Sequence, residues 1–310
     1  MKIENVPRRI VLSRKGFDSA AGGCASPILD GRMISLPIPE HNSLNREIQG
    51  IEGCSEKHPT YHDLATTQGK KVAELVAQLA KGKIRPSDCV HLDPDIRPEL
   101  RKSKTMTLPL TFGQDSGSQT ELKDLREGDL FLFFGWFRKA DEFSTGYFRF
   151  AANGPDVHAI WGWLQIAERL DLPAKLSRAQ EIANHHPHVS YAAKRNPNCL
   201  YVGRKNLTFL PNYAGAGTFP KFQDRLRLSD SQMDLRPRKR LRSRWRLPAF
   251  FKNVQMTHHH LSDWELTGES ILGSGGAYPG QEFIFKTEGH EKDVAAWLES
   301  IFSGDWREDS

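Results

Sequence analysis

The segment from Arg126 to Asp171 limits the fold more than any other part of the chain. A polar turn, Glu127-Gly128-Asp129, leads into an apolar, aromatic run from Leu130 to Phe137. A second run of the same character spans His158 to Ala167, with Gly146, Gly154 and Pro155 between them. Aromatic, leucine and β-branched residues suit a packed, pleated surface, and turn residues between two such runs predict paired strands. Neither run alternates cleanly between apolar and polar. Both faces are therefore expected to be covered, as in a small closed barrel or a sheet overlaid by helices. A buried helix is the competing reading of each run; their shortness and their Gly or charged ends favour strands.

The remaining pattern is mixed. Ile10 to Leu12 reads as a short strand, and Ile28-Leu29 with Met33 to Ile38 reads as a hairpin around Asp30-Gly31. Thr67 to Lys81 has the period of an amphipathic helix, with Val72, Leu75, Val76 and Leu79 on one face and Gly82 as its stop. Cys89 to Leu92, Cys199 to Gly203 and Gln281 to Lys286 read as strands, and Thr120 to Leu125 as a helical turn. Leu176 to Ala183 and Glu291 to Phe302 read as helices, the latter turning Val294, Trp297, Leu298 and Ile301 inward. Trp245 to Phe251 is expected to be a buried aromatic anchor. The class this implies is α+β: a central mixed sheet, curled or closed as a barrel, flanked by a few helices. With 310 residues the chain is read as one domain over 1–310, with a sub-division into an N-terminal α/β part, 1–110, and a β-rich part, 111–310.

Composition narrows the class of protein. The hydrophobic fraction is 38% and the mean hydropathy is −0.55, and no apolar run of about eighteen residues is present to span a membrane. The N-terminus lacks the continuous apolar stretch of a signal peptide. Cys24, Cys54, Cys89 and Cys199 are far apart with no CxxC pair, which argues against a disulfide framework or a zinc knuckle and points to a reduced, cytoplasmic protein. The net charge of +5 is mild, but its distribution is not. Arg236, Arg238, Lys239, Arg240, Arg242, Arg244 and Arg246 lie in one acid-free run, the pattern expected of a nucleic-acid backbone contact or, more blandly, of a solvated face.

Two places carry candidate chemistry. The loop after the first strand brings Arg14, Lys15, Asp18 and Ser19 next to Gly22 and Gly23. Cations and free N–H groups of this kind can hold a phosphate, although the spacing fits neither the Walker pattern nor GxGxxG and an ordinary connecting loop is the alternative. In His91-Leu92-Asp93-Pro94-Asp95, the three polar residues alternate. In a continued strand they would share one face and form a proton-transfer or metal cluster; with Pro94 ending the strand, the two aspartates would instead cap a turn. Asp18, His91, Asp93 and Asp95 are the candidate catalytic groups. His185, His186 and His188 fit no familiar ligand spacing, and Pro187 is expected to break any helix there, so they read as a solvated or base-contacting loop. His258 to His260 read as a native loop. No metal ligand set and no cofactor is assigned.

Three blocks, SRKGFDSAAGGCASPI (13–28), GDLFLFFGWFR (128–138) and HAIWGWLQI (158–166), together with HLDPD (91–95) and GQEFIF (280–285), resemble the third of the nucleotide-modification-associated domain families. The resemblance implies a place in bacterial or phage systems that modify bases in DNA, alongside partner proteins of such a system. It transfers no catalytic residue. A second likeness, to the barrel of PUA-like and EVE-type domains, rests on Gly128-Asp129 before one strand and Gly162 within its neighbour. It implies a pocket for RNA or a modified base, with Trp136, His158, Trp161 and Gln165 around a flipped base. Stacking worth about 1–3 kcal/mol per base would offset an extrusion cost of a few kcal/mol.

Three functions follow. The first is a DNA-associated protein that binds or modifies a nucleobase, with Arg236 to Arg244 on the backbone. The second is a stand-alone transferase or hydrolase on a small nucleotide or nucleotide sugar, using Asp18, His91 and Asp93 as acid and base. The third is a non-catalytic interaction subunit. The first loop, HLDPD and the aromatic strands lining one cavity would favour the first two.

Overall fold

The computed structural model describes residues 5–40, 59–66, 69–97, 100, 109–230, 244–274 and 282–304. The strands are β1 (Arg9–Arg14), β2 (Ser26–Leu29), β3 (Arg32–Met33), β4 (Thr111–Asp115), β5 (Leu130–Ser144), β6 (Tyr147–Phe150), β7 (Asp156–Leu172), β8 (Asn198–Gly203), β9 (Ala216–Thr218), β10 (Arg244–Pro248), β11 (Glu265–Thr267), β12 (Ser270–Ser274) and β13 (Glu282–Lys286). The α-helices are α1 (Val72–Leu79), α2 (Ser116–Glu121), α3 (Leu176–Ala183), α4 (Pro187–Ser190) and α5 (Glu291–Phe302).

The two apolar runs are antiparallel partners, β5 and β7, in register from Leu130 opposite Gln165 to Arg138 opposite Asp156. They form the spine of a ten-stranded mixed sheet ordered β13-β1-β5-β7-β8-β4, with β2, β3, β6 and β9 attached beside it. The first eight residues of β5 are buried without a break, as expected of strands covered on both faces. At Phe133/Phe134 the register shifts: Phe133 faces Gly162 and Phe134 faces Ile160, so Trp161 is the extra residue of a bulge. The rings interlock. Phe112 lies 4.9 Å from Phe131 and 5.0 Å from Phe133, and Trp245 lies 5.4 Å from both Phe134 and Phe283. Each such pair adds about 0.5–1.5 kcal/mol beyond area burial.

The sheet curls but does not close. Its two outer strands approach through side chains, Gln114 Nε2 donating to Glu282 Oε1 and Lys15 Nζ lying 3.2 Å from the same oxygen. No ladder joins them, because the outer edge of β4 is already taken. Thr111 exchanges both backbone bonds with Asp95, at 2.8 and 3.2 Å. The PUA-like barrel expected from the Gly-Asp turn is therefore not formed. That turn is held locally instead: Asp129, 1% exposed, accepts from the backbone N–H groups of Arg9 and Arg126 and pairs with Arg8.

Helices α3 and α5 match their expected bounds, and α5 packs Phe302 against Trp163 and Phe219 at 5.1 and 5.2 Å. The expected helix over 67–81 is regular only from Val72 to Leu79, its first residues 67–68 lying outside the described ones. Residues 89–92 make isolated bridges, Val90 with Pro39 and Cys89 with Thr60, rather than a strand. Cys24 and Cys199 are free thiols, whereas Cys89 is disulfide-bonded, so the expectation of reduced cysteines fails at that residue. No helix among the described residues is long and apolar enough to cross a membrane.

Candidate functional site

The outer edge of β4 carries the site. Thr111 and Gly113 turn their backbone groups away from β8. The first pair binds Asp95, and the Gly113 N–H meets Asp93 Oδ1 at 2.8 Å. This docks the HLDPD segment along the sheet, and Ile96 anchors it by lying over Gly162, where a Cβ would come within 2.7 Å of the Ile96 side chain. Against the same edge lies the His-His-Pro-His segment. Pro187 does not break a helix there but starts one. It occupies the first helical position, where no N–H is needed, and His186 is the cap, its Nδ1 accepting from the His188 N–H at 3.3 Å. Gly113 is what lets these rings approach, since a Cβ at that position would stand 2.3 Å from the His188 ring and 2.8 Å from that of His186.

The result is a buried polar centre around Asp93. Its Oδ1 accepts from Gly113 and lies 3.1 Å from His186 Nε2. The His186 Nδ1 already acts as an acceptor, so Nε2 carries the proton and donates. Asp93 Oδ2 faces His91 Nε2 at 3.9 Å and His188 Nε2 at 3.8 Å. The far nitrogen of each of these rings has its own partner: His91 Nδ1 lies 3.1 Å from Glu40 Oε2, and His188 Nδ1 lies 2.9 Å from Asn198 Oδ1. The Asn198 amide is oriented by donating its Nδ2 to the His188 carbonyl. His91, Asp93 and His188 each offer one potential ligand atom within 4.8 Å of the other two. Asp95 is not part of this triad; its Oδ2 pairs with His185 Nε2 at 3.0 Å.

The electrostatics follow from these contacts. Burial alone would raise the Asp93 carboxyl, but the hydrogen bond from His186 and the three surrounding imidazoles hold it well below the carboxylate range. Burial lowers His188 to about 4, with Asp93 opposing and His91 and His186 assisting. Burial also acts to lower His91, yet Glu40, Asp93 and Asp115 together leave it raised. His91 is the ring nearest solvent, its side chain 13% exposed. Beside it stand Tyr191, stacked on His91 at 6.4 Å, and Arg195, whose guanidinium lies over Tyr191 and 3.7 Å from Asp115.

The other expected site residues lie elsewhere. Asp18 Oδ1 accepts from the N–H groups of Ala20 and Ala21, its Oδ2 is 3.0 Å from Arg14, and Gly22 lies against the Phe17 ring. Ser19 is exposed and Gly23 approaches Lys83. Lys15 reaches β4 only over Phe112, on the face opposite Gly113. Trp136 and Trp161, at 6% and 2% exposed, are core rings. The first donates to Asp156, and the second lies under Arg97. His158 is buried between Phe134 and Trp245. Gln165 uses its amide in full, donating to Gly128 O and Thr208 Oγ1 and accepting from the Thr208 N–H. The ring-lined hollow expected between β5 and β7 is thus filled by its own rings. Arg236, Arg238, Lys239, Arg240 and Arg242 lie outside the described residues; Arg244 pairs with Asp230 at 3.1 Å.

Sequence reasoning missed Glu40, Gly113, Asn198 and the roles of His186 and His188. The proximity of three histidines was the one usable signal. A hollow of about 840 Å³ opens elsewhere, bordered by Glu121, Lys252, His258, His260 and Lys286. At least one of its histidines is already spent on a carboxylate, His258 on Glu121 at 3.0 Å. The Asp93 centre, with three donor atoms turned toward one point, is the better candidate for chemistry.

A family model, described as nucleotide modification associated domain 3, matches residues 9–286. The chain belongs to this family. The match begins in β1 and ends in β13, which pair with each other (Arg9 opposite Lys286), and every residue of the Asp93 centre falls inside it. Membership ties the chain to nucleotide modification. No match was found among curated proteins or among solved structures.

Proposed function

We propose that this protein carries out a chemical step on a nucleobase, in DNA or as a nucleotide, within a base-modification system, and that the step takes place at His91, Asp93 and His188. The observation that supports this is the convergence of two imidazole nitrogens and one carboxylate oxygen beside a partly open ring. Structural polar clusters usually pair donor with acceptor at hydrogen-bond distance; here both Nε2 atoms stand 3.8–3.9 Å from Asp93 Oδ2, too far to bond it directly. Arg195, half-buried over the Tyr191 ring, stands at the edge of the centre, a cation suited to a phosphate. The basic run Arg236–Arg242 supplies the contact to the DNA backbone in this reading.

The test is to incubate the protein, with its genomic neighbours where needed, with DNA and with free nucleotides, and to read the nucleosides by mass spectrometry. A new or lost nucleoside that disappears with Asp93→Asn and His91→Ala supports the reading. An unchanged profile with every substrate, from a folded protein, rejects it. DNA affinity should fall with salt at a slope near about −0.9 per phosphate neutralised on a duplex, and replacing the five cations of 236–242 by Gln should flatten that slope.

A further inference from the structure

We propose that His91 Nε2, Asp93 Oδ2 and His188 Nε2 are the ligands of a divalent first-row transition metal. The proposal deepens the reading of this centre as the place of chemistry, and its argument is one of proton positions. The His91 Nδ1 faces Glu40, a carboxylate that accepts, so Nδ1 carries a proton, and in the neutral ring the lone pair is on Nε2. The Asn198 amide donates through Nδ2 to the His188 carbonyl, so Oδ1 is the atom facing His188 Nδ1, and that ring too has its lone pair on Nε2. Gly113 and His186 saturate Asp93 Oδ1 and leave Oδ2 turned to the centre. At 3.8 and 3.9 Å, neither Nε2 is hydrogen-bonded to that oxygen. With both imidazoles neutral, the form in which histidine binds a metal, three lone pairs face a common point in a buried place. A cation resolves this arrangement.

Geometry and chemistry select the class of ion. Donors bound at about 2.0–2.2 Å stand roughly 3–3.6 Å apart around a common metal, so the two carboxylate–imidazole separations need a contraction of a few tenths of an ångström, and the two imidazole nitrogens, within 4.8 Å of each other, at most about 1 Å more. Two imidazoles with one carboxylate suit iron, zinc, cobalt or manganese, whereas calcium and magnesium prefer oxygen alone. Three protein ligands would leave at least one coordination position open. Glu40, Asn198 and His186 are positioning residues. Each orients a ligand from behind, the role that outer partners play in metal sites.

The experiment uses the full chain, stripped with chelator and titrated separately with Zn2+, Co2+, Mn2+ and, without oxygen, Fe2+. Calorimetry, elemental analysis and the cobalt absorption spectrum are the readouts. About one equivalent is expected to bind, and His91→Ala, His188→Ala or Asp93→Asn should weaken it by at least about 100-fold. Asn198→Ala, which keeps all three ligands, should cost about 10–100-fold and change the cobalt spectrum, a result that remains readable if a ligand variant does not fold. Folded wild-type protein that binds none of the four ions more tightly than folded Asn198→Ala overturns the proposal. Tight binding without base chemistry would retain the metal and reject the proposed function; base chemistry in chelated protein would do the reverse.

Discussion

The segments His185-His186-Pro187-His188 and His258-His259-His260 look alike as text, and the fold gives them opposite surroundings. In the first, each ring has a carboxylate before it, Asp95 or Asp93, and His186 and His188 also have a partner behind, the His188 N–H and Asn198 Oδ1. In the second, His259 is buried among rings, stacked on Phe283 at 4.7 Å with its plane within 8°, and edge-on to Trp245 and Trp264. Its Nε2 has no hydrogen-bond partner among the described residues. Burial lowers both His188 and His259 to about 4, yet only His188 has Asp93 pulling the other way. A histidine becomes a ligand when something behind it fixes its proton and something before it shares its lone-pair direction. Burial alone makes it an aromatic filler.

The contrast can be broken or sharpened by substitution. The largest effect is expected from Gly113→Ala, which puts a methyl 2.3 Å from the His188 ring. Denaturant unfolding should show a loss of about 1–3 kcal/mol or more, as overpacking does, and the metal titration should fail with it. If stability and metal binding are both unchanged, the tight packing of the rings on β4 is wrong.

His259→Phe comes next. In the native protein the folded pKa lies below the unfolded value, so between about pH 6.5 and 4 the unfolded chain binds more protons and stability falls as the pH is lowered. Phe removes this slope, and the difference between the two proteins should be on the order of 1–2 kcal/mol at pH 4, discounted for partial solvent screening. At pH 7 the substitution should be neutral or mildly stabilising, because it deletes a buried polar atom. His188 contributes a slope of the same sign and His91 one of the opposite sign above pH 6.5, but both are present in each protein and cancel. Equal pH profiles for the two proteins would count against the aromatic cage. The smallest effect belongs to His258→Ala. The pair with Glu121 is partly exposed, so the loss should stay within about 1 kcal/mol and metal stoichiometry should not move.

How much of this was legible in the chain depends on whether the signal was local. The runs at Leu130 and His158, the helices at Leu176 and Glu291 and the strand at Cys199 were readable because their periodicity and end signals lie within a few residues. His91 and Asp93 were marked by their alternation. Pro187 was misleading because the same ring that breaks a helix interior favours a helix start. Glu40 lies 51 residues from His91, and Asp93 lies 93 residues from His186, so nothing local announces either pairing. Trp136, Trp161 and Gln165 show the opposite problem: their chemistry fits a pocket, and only packing reveals that these groups are spent on the core.

The centre is drawn from four stretches of chain, around Glu40, His91, Gly113 and His188. Closing spans this long is slow compared with forming a helix or a hairpin. A chain still leaving the ribosome therefore lacks the proposed centre until His188 has emerged. The chemistry proposed for the centre would thus be withheld from the nascent polypeptide by the order in which its parts are made.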